Sequence, residues 1–223
     1  MPRPLRNALI ALGITFLLTA TIVYAVKYLN NARLEELKSI EDQLSIDALS
    51  LDTQFSLLEN APCDNVASTT EFITELGDLG ARLSYTEEQL GSTNEQVVRL
   101  KKQYSLLEIR HYLATKRLAS VCGTKPVTVL YFYSNEGECP DCDKAGYALS
   151  YLRDTYPHLR VYSFDYHLDL GALRTLVAVD KVKGGELPAF VINGKYSHGF
   201  TDLKDFTSRF PKGALSTTTP TKK

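Results

Sequence analysis

Residues 126–143 read PVTVLYFYSNEGECPDCD, and the fold turns on this stretch. The seven residues 127–133 are β-branched, aromatic or aliphatic with no charge among them, the pattern of a strand covered on both faces. Asn135 and Gly137 break that run, and over 143–156 apolar residues recur at helical spacing. Cys139 and Cys142 therefore fall where a strand gives way to a helix. Unpaired N–H groups and the dipole at a helix N-terminus stabilise a thiolate, the nucleophilic form of cysteine. Cys139 is the expected attacking thiol. Cys142, expected one turn into the helix on the same side, closes a disulfide with it or resolves a mixed disulfide with a substrate.

Downstream the pattern predicts strands over 159–164, 189–192 and 196–200 and helices over 170–182 and 202–210. Asn193-Gly194 lies between two apolar runs, a strong hairpin signal. The order from residue 127 is βαβαββα. After Pro211 the tail over 212–223 is polar and expected to be disordered.

A CxxC by itself is shared with zinc ribbons, haem attachment and metal carriers. Haem attachment needs a histidine directly after the second cysteine, where this chain has Asp143. A structural zinc site needs two further ligands, and His111, His158, His167 and His198 form no paired motif. Carriage of copper by the two thiolates, with His198 as a third ligand, stays open as an alternative.

The strand, the CPDC and the helix are followed by LPAFVINGK at 187–195. With these motifs the chain resembles the thioredoxin superfamily, including its membrane-tethered and DsbA-like members, over roughly residues 124–211. The resemblance implies an α/β domain with a central mixed sheet flanked by helices. It implies a cis Pro188 beside the cysteines, with the backbone of Leu187 pairing with an extended substrate segment and Pro140 and Asp141 as further substrate contacts. It also implies a site without metal or cofactor, acting on protein thiols and disulfides and recharged by a redox partner that the sequence does not name. The chain departs from the family in two respects. Glu138 stands where a tryptophan is frequent, and Tyr131 and Tyr133 occupy the strand where many thioredoxins bury an aspartate. Glu136, Glu138, Asp141 and Asp143 surround the thiol against Lys144 alone. Like charge disfavours a thiolate, so a couple more reducing than that of the strongly oxidising members is expected.

Upstream, residues 8–26 carry no charge and follow Arg3 and Arg6. At 1.5 Å per residue they span about 28 Å, enough to cross a bilayer. We expect an uncleaved anchor over 1–29, because the apolar run is longer than a signal-peptide core. Flanking charges decide orientation weakly. A second cysteine pair suits a compartment where disulfides persist, which places the chain beyond residue 26 outside the cytoplasm. The 223 residues have a formal net charge of -1 and no dense Lys/Arg cluster, which argues against a nucleic-acid partner.

Residues 30–122 read as a helical region. Leu37, Leu44, Leu51 and Leu58 recur as a heptad with Leu34, Glu41, Ala48 and Phe55 at the partner position, which fits either one helix of a local bundle or a coiled coil through which the chain self-associates. Helices are expected over 66–90, with Ser68 and Glu71 as a capping box, and after Ser92 through Val121, with His111 as an interior histidine. The short Gly91-Ser92 connection predicts an antiparallel hairpin. Two helices of nearly equal length would bring Cys63 beside Cys122, and a structural disulfide is expected there. The domain arrangement is thus an anchor over 1–29, a helical region over 30–122, the thioredoxin-like domain over 123–211 and the tail. A different class of function, with the helical region as a scaffold or oligomerisation module and the terminal domain as a binding platform, remains an alternative.

Overall fold

The computed structural model describes residues 12–29 and 70–215, with Asn7, Ile46, Cys63 and residues 49–50, 52–54 and 56–57, and leaves out the side chains of 70–75. The heptad leucines and their partner positions, the Ser68/Glu71 capping box and the tail beyond residue 215 lie outside the described residues. The chain divides into two units, Met1–Ile46 and Asp47–Lys223.

The first unit contains helix α1 (Leu12–Leu29), the one described helix long and apolar enough to cross a membrane. Its apolar side chains are exposed, Phe16, Leu17 and Ile22 among them. The hydroxyls do not oppose insertion: Thr19 Oγ1 donates to the Thr15 carbonyl at 3.0 Å and Thr21 Oγ1 to the Leu17 carbonyl at 2.7 Å. Such bonds satisfy polar groups where no water is present.

In the second unit, α2 (Thr70–Leu90) and α3 (Glu95–Cys122) form a hairpin. Gly91 ends α2 at φ +85°, and Asn94 caps α3, its side chain accepting from the Gln96 N–H at 2.9 Å. The helix therefore starts two residues later than expected after Ser92, since residues 91–94 are used up by the connection. Glu87 meets Lys101 near the turn and Gly80 meets Tyr104 further along, which fixes the antiparallel sense. A helical stretch before the hairpin also touches α3, with Arg110 bound to Asp52 and donating to Ser56 Oγ at 2.9 Å.

The remainder is β1 (Val127–Tyr133), α4 (Cys142–Thr155), β2 (Leu159–Asp165), α5 (Gly171–Val179), β3 (Ala189–Ile192), β4 (Lys195–His198) and α6 (Leu203–Ser208). One mixed sheet has the order β2-β1-β3-β4. β1 and β2 run parallel, while β3 is antiparallel to both β1 and β4. Asn193 and Gly194 sit at φ 47° and 80°, the left-handed pair a tight two-residue hairpin requires.

β1 is central, and its side chains alternate between two cores. Leu130 and Phe132 join Tyr162, Phe164, Leu173, Leu176 and Tyr112 on the face covered by α3 and α5. Val129 and Tyr131 join Leu149, Leu152, Phe190 and Phe206 on the face covered by α4 and α6. Each fully buried aromatic or leucine contributes about 1.5–3 kcal/mol, which explains how six-residue α6 is held by Phe206 alone at its core-facing side. At the β2 edge a helix takes the place of a further strand: Glu108 of α3 accepts from the Ser163 backbone N–H at 3.2 and 3.1 Å. The edge is thereby blocked against pairing with another chain. Ala214 and Leu215 pack against the second core, so the ordered body runs past the position where the tail was expected to begin.

Candidate functional site

β1 ends at Tyr133, and the chain passes through residues 134–141 into α4. Gly137 at φ +90° turns this loop, and Ser134 Oγ accepts from the Glu136 N–H at 3.0 Å. Cys142 is the first helical residue, so it opens α4 instead of lying one turn inside it. Its N–H donates to the Cys139 carbonyl at 3.3 Å, so Cys139 lies in the turn that leads into the helix. The two sulfurs form a disulfide with Cα atoms 5.4 Å apart. Cys139 is 8% exposed and Cys142 5%, a smaller difference than a presented first sulfur and a sheltered second would suggest. Pro140 beside them is exposed and Asp141 half-buried.

Tyr131 seats the helix on the sheet. Its hydroxyl donates to the Cys142 carbonyl at 2.6 Å, and its ring stacks on Phe190 at 5.5 Å. Burial, then the nearby Asp143 carboxylate, push its phenol upward, so it stays a neutral donor. The strand tyrosine thus fixes the first turn of α4 from beneath.

Leu187-Pro188 is a cis peptide. Ala189 pairs with Phe132, which puts Pro188 at the end of the sheet where β1 finishes and the cysteine loop starts. The Pro188 carbonyl accepts from Gly199 N–H at 2.8 Å. Leu187 packs its side chain against the α3/α5 core, and its backbone makes no hydrogen bond with another described residue.

Several charges around the loop are paired through space. Lys144 Nζ binds Asp141 at 2.8 Å. His167, in the loop after β2, places Nε2 2.6 Å from Glu138 Oε1 and 4.0 Å from Glu136 Oε2. A hydrogen bond from the Ser134 side chain leads the interactions that hold the Glu138 carboxyl below its usual range, with His167 contributing further. Asn135 donates to Glu87 at 2.9 Å. Lys101, buried on α3, lies between Glu87 at 2.6 Å and Asp165 at 3.2 Å. Asp165 Oδ1 in turn accepts from the His167 N–H at 3.2 Å. The cysteine loop is thereby tied to the helical hairpin. Apart from Lys144, none of these partners was visible in the sequence, where His167 carried weight only as a metal-ligand candidate.

Glu136, Glu138 and His167 also form a trio of metal-binding side-chain types whose ligand atoms lie within 4.8 Å of one another. We assign no metal to them, because all three are exposed and the imidazole and Glu138 satisfy each other. The group includes neither cysteine, nor His198, which faces Glu186 at 3.7 Å.

Cys63 and Cys122 are joined as a disulfide with Cα atoms 5.5 Å apart, at the end of α3 remote from the hairpin turn. Cavities of about 300 and 620 Å³ lie under the hairpin beside Tyr104 and Arg153. Neither is lined by Cys139 or Cys142.

The fold and site together define a chain with one helix long and apolar enough to cross a membrane and an α/β unit with a helix-initiating CxxC disulfide. Comparison with protein-family models, curated proteins and solved structures finds no match to it.

Proposed function

We propose that this protein is a thiol–disulfide oxidoreductase of thioredoxin-like fold, anchored by α1 with the α/β unit on the extracytoplasmic side of the membrane. The observation that carries it is the Cys139–Cys142 disulfide at the junction of a central strand and a helix N-terminus. The βαβαββα order, the mixed four-stranded sheet and a proline-led strand at the same sheet end support the fold. The unpaired Leu187 backbone supports docking of an extended protein segment, with Pro140 and Asp141 as neighbouring contacts. A second disulfide supports the oxidising compartment.

In one direction a substrate thiolate attacks Cys139 Sγ. The Cys139–Cys142 bond breaks, Cys142 leaves as a thiolate, and a mixed disulfide with Cys139 forms. A second substrate thiolate then attacks the substrate sulfur, releasing oxidised substrate and the dithiol. A redox partner must remove two electrons to restore the disulfide, and the reverse sequence reduces a substrate.

The test equilibrates the full chain in detergent with reduced and oxidised glutathione and counts thiols at Cys139 and Cys142 by mass spectrometry. Expected is a two-electron couple that titrates within the glutathione range or below it. Cys142→Ser should accumulate a mixed disulfide with glutathione at Cys139, and Cys139→Ser should not do so at Cys142. A pair that dithiothreitol cannot reduce in the folded chain, or a Cys142→Ser variant that never forms the adduct, overturns the proposal.

A further inference from the structure

The residues next to Cys139 in the chain are acidic, and His167 enters their company through the fold alone. Its imidazole is hydrogen-bonded to Glu138, the residue directly before Cys139. Resting on the thiol-exchange function above, we propose that His167 is a positioning residue that sets how readily Cys139 becomes a thiolate, by switching the net charge of the Glu138–His167 pair with pH.

The Glu138 carboxylate is held ionised by its hydrogen bonds, the Ser134 side chain foremost. Histidine changes charge between about pH 5 and 8. With the imidazolium in place the pair carries no net charge. With a neutral imidazole, a full negative charge remains on the residue directly before Cys139, and like charge disfavours the thiolate. By linkage, a thiolate at Cys139 in turn favours the proton on His167.

The other charged groups facing the imidazole do not cancel this switch. Glu136 on the cysteine loop adds a further negative charge at 4.0 Å. Asp165 at the end of β2 accepts from the His167 backbone and shares Lys101 of α3 with Glu87 of α2. Tyr166 meets the imidazole in a T-shaped ring contact. Lys144 of α4 is engaged by Asp141. His167 is thus the imidazole within hydrogen-bond reach of the residue before the nucleophile.

The test alkylates the reduced full chain in detergent with iodoacetamide from pH 4.5 to 9.5, with a chelator present, and reads the Cys139 peptide by mass spectrometry. The wild type should show a two-step profile. His167→Gln should give a single step, with Cys139 about threefold less reactive at pH 6, the size expected of a half-exposed charge pair. His167→Arg should also give a single step, keep the wild-type reactivity at pH 6 and exceed it above pH 8. Loss of a merely structural contact would move both variants the same way, and that result, or superimposable profiles in all three proteins, overturns the proposal. Exchange with oxidised glutathione is followed in the same samples. Its absence in the wild type would overturn the oxidoreductase assignment, while the alkylation profiles still decide the role of His167.

Discussion

Glu108 shows how one side chain can serve the fold at a cost that depends on pH. Its carboxyl is withdrawn from solvent among Tyr104, the Ser163 backbone and β2. Burial pushes it up to about 8 against the pull of the hydrogen bonds from Ser163 and Tyr104. The folded chain therefore holds this proton more tightly than the unfolded chain does. Stability from the site is complete below the unfolded value near 4.5 and is lost as pH rises through about 8. The urea midpoint of the wild type should fall across that window, and Glu108→Gln should flatten the fall. An equal slope in both proteins would show that Glu108 is not the responsible group. His111, on the same helix, is driven the opposite way to about 4, burial leading and Arg160 adding to it. It stays neutral at physiological pH, in keeping with an interior histidine.

At the scale of elements, the hairpin is held by a close approach that the sequence disguised. Gly77 and Gly80 look alike in α2, and both weaken a helix by propensity, roughly 1 kcal/mol each relative to alanine. Their surroundings separate them. A Cβ at Gly77 meets nothing within 4 Å, whereas one at Gly80 would lie 2.7 Å from the Tyr104 hydroxyl oxygen. That hydroxyl is bound to Glu108 and cannot retreat freely. Gly77→Ala should raise stability by up to about 1 kcal/mol, and Gly80→Ala should lower it by about 1–3 kcal/mol, both measured by urea denaturation. Equal effects from the two substitutions would contradict the packing. The helix after the CxxC also depends on a neighbour: the Tyr131 hydroxyl on the Cys142 carbonyl fixes α4 to start at Cys142, a boundary helical periodicity alone placed at Asp143.

Across the whole second unit, the hairpin and the sheet are one body, although the residue pattern changes character at Gly123. Lys101 and Glu108 reach from α3 to β2, and the Cys63–Cys122 bridge joins residues 59 apart in sequence. Closing a loop of that length contributes roughly 4 kcal/mol in the chain-entropy account, less any strain. The double variant Cys63→Ser, Cys122→Ser should lose about 2–4 kcal/mol by urea denaturation while leaving alkylation of Cys139 unchanged. Loss of Cys139 reactivity together with stability would show instead that the hairpin orders the cysteine loop.

What the sequence determined by itself was local: β1 as a run buried on both faces, the CxxC at a strand–helix junction, the Asn193-Gly194 turn and the apolar length of α1. Each of these rests on neighbours a few residues apart, whose periodicity or turn chemistry can be read along the chain. Tertiary structure alone decided the electrostatics of the site. Glu138 meets His167 across 29 residues, Ser163 meets Glu108 across 55 and Asp165 meets Lys101 across 64. A charged side chain leaves no periodic mark of its distant partner, and these pairs exist because β1 aligns with β2 in parallel and α3 lies along the open edge of β2.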